Sequence, residues 1–271
     1  MSGFPVGHFA TGLVVSAVAV VVMMLVTWLI ALKVGRFDVV DSAWGLGFVV
    51  VAAVTFAWSS GGGDDARRLL VLVLTAIWGI RLAVHIALRA RGKGEDPRYA
   101  AMFEKSKHSP AFHALVFVYL TQAAVLWFIS LPVQVAMYEA AAIGWIAWLG
   151  AAVWAAGFFF ETVGDWQLQQ FRDDPSSAGQ VMDRGLWKYT RHPNYFGDAC
   201  VWWGLYLIAA QTVPGALTIL SPVAMTLTLA KGTGKPLLER SMAKRRPGYT
   251  EYVERTSGFI PWPPKAAKPS G

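Results

Sequence analysis

The sequence predicts an all-α, polytopic membrane helix bundle of about seven transmembrane helices, on three observations. Of 271 residues 55% are hydrophobic and the mean hydropathy is positive, above the usual share for a soluble domain. Apolar stretches of about 20 residues, enough to cross a hydrocarbon core about 30 Å thick, recur along the chain. Lys and Arg concentrate in alternate loops, as they do where one side of a membrane is cytoplasmic.

The first stretch, 11–32, has no Lys or Arg before it and ends at Lys33 without a small-residue cleavage site, so it reads as a retained helix and not a signal peptide. Further spans are expected at 39–58, 69–88, 111–132 and 141–163. The apolar block from Ala199 to Ala230 is too long for one span, and the turn signal at Gln211-Thr-Val-Pro-Gly215 divides it into two short ones. Gly61-Gly-Gly63 reads as a flexible loop, and no GxGxxG fingerprint follows a strand, so a nucleotide here would be held by helices. No internal repeat is visible. One integral-membrane domain is expected over 1–264, its cofactor half from about 141, with a disordered tail at 265–271.

The basic residues after helices 1, 3 and 5 and in the C-terminal tail fall on one side, which places the N-terminus outside and the C-terminus in the cytoplasm. Arg67 and Arg68 fall on the other side, partly offset by Asp64 and Asp65. Cytoplasmic loops facing anionic lipid account for the net charge of +7 without nucleic acid. Richness in Ala, Val, Gly and Arg points to a high-GC bacterium and its cytoplasmic membrane. The single Cys200 excludes an intrachain disulfide and suits a small buried residue. The five His residues lack metal-ligand spacing, so no metal site is expected.

Ionisable groups in or beside spans are costly and mark candidate sites. Asp38 and Asp41 share a face at the start of helix 2, where either suits a helix N-terminus. Arg81, His85 and Arg89 lie four residues apart on one stripe of helix 3. Glu161, Asp165, Gln169 and Arg172 form the polar face on which helix 5 leaves the membrane. Asn194 and Asp198, again four apart, open helix 6, with Pro193 in its first turn. Arg184, Lys188 and Arg191 precede that helix N-terminus, where free N–H groups and the dipole favour an anionic cofactor.

Glu161-x3-Asp165-x6-Arg172, Gly185-Leu-Trp, Arg191-His-Pro-Asn-Tyr-Phe-Gly-Asp198, Glu239-Arg240 and Gly248-Tyr-x2-Tyr252 ahead of Phe259-Ile-Pro261 together resemble the steroid 5α-reductase-type membrane reductases. They resemble more closely the prokaryotic branch of unknown function, the DUF1295-like proteins. The resemblance implies a seven-helix bundle open to the bilayer. NADPH would bind from the cytoplasmic side, and hydride would pass to an activated carbon-carbon double bond of a lipid substrate of steroid, isoprenoid or fatty-acyl type. Carried over, it implies that Glu161, Asp165, Arg172, Asn194, Tyr195, Asp198, Arg240 and Tyr249 hold the dinucleotide, with Arg184 and Arg191 as phosphate partners.

One position departs from that pattern. Where the steroid enzymes place a proton-donating Tyr, three residues before the helix 3 arginine, this chain has Trp78, whose indole N–H is no acid. Protonation is then expected from Asp41 or His85. The Arg-His-Pro-x-Tyr pattern also occurs in membrane methyltransferases of the isoprenylcysteine carboxyl and phospholipid N-methyl types, which makes an S-adenosylmethionine-dependent enzyme the alternative.

Overall fold

The computed structural model describes residues 4–232, 239, 242, 243 and 246–265. All regular elements among them are helical, and an isolated bridge pairs Thr190 with Ser257. The helices are α1 (Val6–Val34), α2 (Val39–Trp58), α3 (Asp65–Ala90), α4 (Pro97–Glu104), α5 (Pro110–Ile129), α6 (Leu131–Ala136), α7 (Trp145–Asp173), α8 (Pro193–Ala209), α9 (Val213–Ala230) and α10 (Tyr249–Arg255). Six of these, α1, α2, α3, α5, α7 and α9, are long and apolar enough to cross a membrane. The chain is therefore a polytopic all-α membrane bundle.

The expected count of about seven includes α8, whose 17 residues stand at the short end of the roughly 17 to 25 that cross a bilayer. The spans start and stop for local reasons. α1 ends at Gly35, whose φ of 75° puts it in the left-handed region and lets its N–H return to the Ala31 carbonyl. α3 begins at Asp64, which accepts the Arg67 N–H, and α4 at Asp96, which accepts the Arg98 N–H. Inside α5, residues Ala114–Leu120 form a π-helical turn, a local widening that such helices tolerate. The expected N-cap role of Asp38 is corrected: its side chain makes no cap bond and instead pairs with Arg36 at 2.8 Å. Glu95 grips this turn, accepting the Phe37 and Asp38 N–H groups at 2.7 and 2.9 Å.

The chain forms two compact units, residues 1–147 with 208–221, and 148–207 with 222–271. In the first, α2 packs along α3 and against α1. A β-carbon added at Gly79 would lie 2.5 Å from the Gly45 carbonyl oxygen, so the two backbones touch there, as small residues allow between membrane helices. Trp78 and Phe48 are fully buried beside this contact, with rings 5.5 Å apart.

The first unit also buries a cation. The Arg67 and Glu139 side chains are 0% and 1% exposed and lie 3.5 Å apart. Arg67 donates to the carbonyls of Ile208 at 2.6 Å, Ala141 at 2.8 Å and Ala142 at 3.2 Å, and Thr212 donates to Glu139. Three chain segments are thereby tied by one guanidinium.

Candidate functional site

In the second unit α7 and α8 run antiparallel, with Gly150 against Gly204, Gly157 against Gly197, and Gly164 against Pro193 and Asn194. Glycines seven residues apart return to one face after two turns, so the contact persists along both helices. A β-carbon at Gly197 would lie 2.5 Å from the Gly157 oxygen, and one at Gly204 2.6 Å from the Gly150 oxygen. This close approach brings the two polar faces read from the sequence together. Asn194 Nδ2 donates to Asp165 Oδ1 at 3.0 Å, and Asn194 Oδ1 accepts the Tyr195 N–H at 3.0 Å. Glu161, buried, flanks Gly197, the residue before Asp198.

The segment before α8 is built around Trp187. Its Nε1 donates to the Gly164 carbonyl at 3.0 Å, the Leu186 N–H donates to Gln167 at 2.9 Å, and the Tyr252 hydroxyl donates to the Trp187 carbonyl at 2.6 Å. Gly185 takes a φ of 60°, and a side chain there would meet Gln167, so glycine is required on both counts.

The cations around this face do different things. Arg172 and Lys188 are exposed. Arg184, also exposed, lies over the Phe171 ring at 5.4 Å and donates to Ser177 at 3.4 Å. Arg191 is corrected from the expected phosphate partner to a bracket inside the protein. It is 8% exposed, and it bonds Glu239 at 2.8 Å and the carbonyls of Val253 and Thr256 at 2.8 and 2.7 Å. Those donors already have acceptors, so little of the guanidinium is left for a phosphate. Tyr195 stacks on His192, rings 5.3 Å apart and 7° from parallel, and His192 Nε2 lies 3.0 Å from Glu239. Tyr249 is buried at the start of α10, and burial, with Glu239 nearby, pushes its hydroxyl up to about 12. Arg240 lies outside the described residues.

Glu239 was legible only as part of a motif, because its partners Arg191 and His192 are 48 and 47 positions away. Burial raises its carboxyl, but the bonds from His192 and Arg191 outweigh this and bring it from 4.5 down to about 2. A depressed carboxyl stabilises the fold above its unfolded value and loses that contribution as pH falls through its folded value. Stability should therefore decline between about pH 4.5 and 2. Glu239→Gln should flatten this decline and cost about 1.5 to 3 kcal/mol at neutral pH, the value of a charge-assisted bond. Unfolding titrations in detergent at several pH values measure both.

In the first unit Asp41 sits in the first turn of α2 and accepts the Tyr99 hydroxyl at 2.6 Å and Arg98 at 2.9 Å. The residue expected as a proton donor is thus the acceptor of both of these bonds. Burial, then the Asp41 charge, raises the Tyr99 hydroxyl well above its ordinary range. Asp96, beside them, is pushed up by burial but brought below its ordinary value by Arg98. Tyr99 was missed because nothing in the spacing of 58 residues links it to Asp41. His85 is half-buried on α3, as is Arg81.

A fission yeast (Schizosaccharomyces pombe) protein described as uncharacterized is 22% identical over 264 residues, covering 87% of this chain and 76% of that protein. No solved structure gives a significant match. The model of the family described as Protein of unknown function (DUF1295) matches residues 27–256, taking in the Asp41 turn, the α7–α8 face and the Glu239 bracket, and the chain belongs to that family.

Proposed function

We propose that this protein is an NADPH-dependent membrane reductase of the steroid 5α-reductase type, acting on a carbon-carbon double bond of a lipid. The observation that carries the reading is the Asp165–Asn194 hydrogen bond at a backbone-to-backbone helix contact, with Glu161 and Asp198 on the same faces and exposed Arg172 and Arg184 nearby in the chain. Acids and amides of this kind take ribose hydroxyls and a carboxamide, and guanidinium groups take phosphate. When bound, the nicotinamide supplies the hydride. The chain's own residues hold and orient it and exclude water. The proton comes from His85 or from Asp41, to which the Tyr99 hydroxyl donates at 2.6 Å. In this reading the protein lies in a bacterial cytoplasmic membrane with its N-terminus outside and its C-terminus in the cytoplasm, in keeping with the Lys and Arg distribution.

The test is nucleotide retention by the purified protein. NADPH should raise its melting temperature, and S-adenosylmethionine should not. Arg172→Ala should weaken NADPH binding by about 1.5 to 3 kcal/mol, and Asp165→Ala should do likewise. Stabilisation by S-adenosylmethionine instead would favour the methyltransferase reading of the Arg191-His-Pro-Asn-Tyr195 pattern.

A further inference from the structure

The second unit carries a basic, aromatic surface that the nucleotide reading does not use. Its position follows from α7. That helix has 29 residues, while about 20 suffice to cross the hydrocarbon core. Counted from Trp145, the hydrocarbon therefore ends near Gly164, where the side chains turn polar at Asp165, Gln167 and Gln169. Trp187 is bonded to the Gly164 carbonyl at 3.0 Å, so the Gly185–Lys188 turn lies at headgroup depth.

The C-terminal stretch is strapped to this turn. Ser257 accepts the Arg191 N–H, Phe259 the Thr190 hydroxyl, Tyr189 the Trp262 N–H, and Arg255 the Lys265 N–H, each at 2.9 Å. The strap leaves Tyr189, Ile260 and Trp262 exposed at 42%, 65% and 69%. Next to them a cavity of about 270 Å³ is lined by Asp183, Lys188, Arg255, Thr256, Pro264 and Lys265. Asp183 pairs with Arg255. Among the described residues neither Lys188 nor Lys265 has an ion-pair partner, so the cavity keeps an excess of positive charge.

We propose that this cavity binds the phosphate headgroup of an anionic membrane phospholipid, with Trp262, Ile260 and Tyr189 seated among the adjoining acyl chains. Amphipathic Trp and Tyr settle at that depth, and Lys there is drawn to anionic lipid. A free phosphate ester would satisfy the same cations, but it would leave three large apolar side chains in water.

The experiment uses the full chain in a neutral maltoside detergent. Phosphatidylglycerol, phosphatidylcholine or sn-glycerol 3-phosphate is added while melting is followed, with bound lipid counted by native mass spectrometry. Phosphatidylglycerol should raise the melting temperature by about 3 to 5 °C and remain bound, and the other two should do neither. Lys188→Gln with Lys265→Gln should weaken phosphatidylglycerol binding at least about tenfold, because two charge-assisted contacts are lost, with unchanged melting in lipid-free micelles. Equal effects of the two lipids, an equal effect of glycerol phosphate, or undiminished binding by the double variant would each overturn the proposal. If the double variant does not fold, the headgroup comparison on the wild type decides alone.

Discussion

Arg67→Met is expected to destabilise the protein by about 3 to 5 kcal/mol, the range for breaking a buried ion pair by removing one partner. The methionine matches much of the volume but leaves Glu139, 1% exposed in its side chain, as an uncompensated buried charge. It also removes the donor from the carbonyls of Ile208, Ala141 and Ala142. The pair Arg67→Met with Glu139→Gln should recover a large part of the loss, because the stranded charge is gone. Arg68→Met should do less: Arg68's ion-pair partner Asp65 is 88% exposed, and a pair with one member in water contributes little. Unfolding of the detergent-solubilised variants measures the series, and a small loss in Arg67→Met would mean that the cation is solvated and not buried.

Gly197→Leu is the second large effect. The backbone of α7 fills the place a side chain would need, the Gly157 oxygen lying 2.5 Å from where a β-carbon would be. The two nearest atoms, the Glu161 nitrogen and the Gly157 oxygen, are both backbone, so the helices must separate. Overpacking of this kind costs about 1 to 3 kcal/mol or more. The separation should also break the Asp165–Asn194 bond, so under the proposed function NADPH affinity should fall together with stability. Gly7→Ala is the control: nothing lies within 4 Å of a β-carbon there, and its effect should stay within about 1 kcal/mol. Preserved NADPH binding in Gly197→Leu would place the nucleotide elsewhere.

The spans were legible in the sequence because their signal is local: length, apolarity and flanking charge. The polar faces of α7 and α8 were legible too, since a spacing of four puts Glu161 with Asp165 and Asn194 with Asp198 on single faces, and Asp165 and Asn194 do meet. What failed to show was every pairing between distant segments. Arg67 read as a misplaced outer charge, and its acceptor at Ile208 is 141 positions away. Arg191 read as a free cation for phosphate because Glu239 and the Val253 and Thr256 carbonyls reach it only through the fold. Asp41 read without its partners because Tyr99 and Arg98, which donate to it, lie on a separate short helix. Charge is visible in a sequence; the group that satisfies it is often not.

The proposed hydride transfer from a nicotinamide to a membrane lipid can be followed with an isotope. The purified protein in lipid nanodiscs would be supplied with a bacterial lipid extract and NADPH carrying deuterium at the transferable position of the nicotinamide. Lipid products should gain one deuterium and one proton across a former double bond, matched by loss of NADPH absorbance. Lipids that stay unlabelled, with no loss of NADPH absorbance, would contradict the proposed transfer.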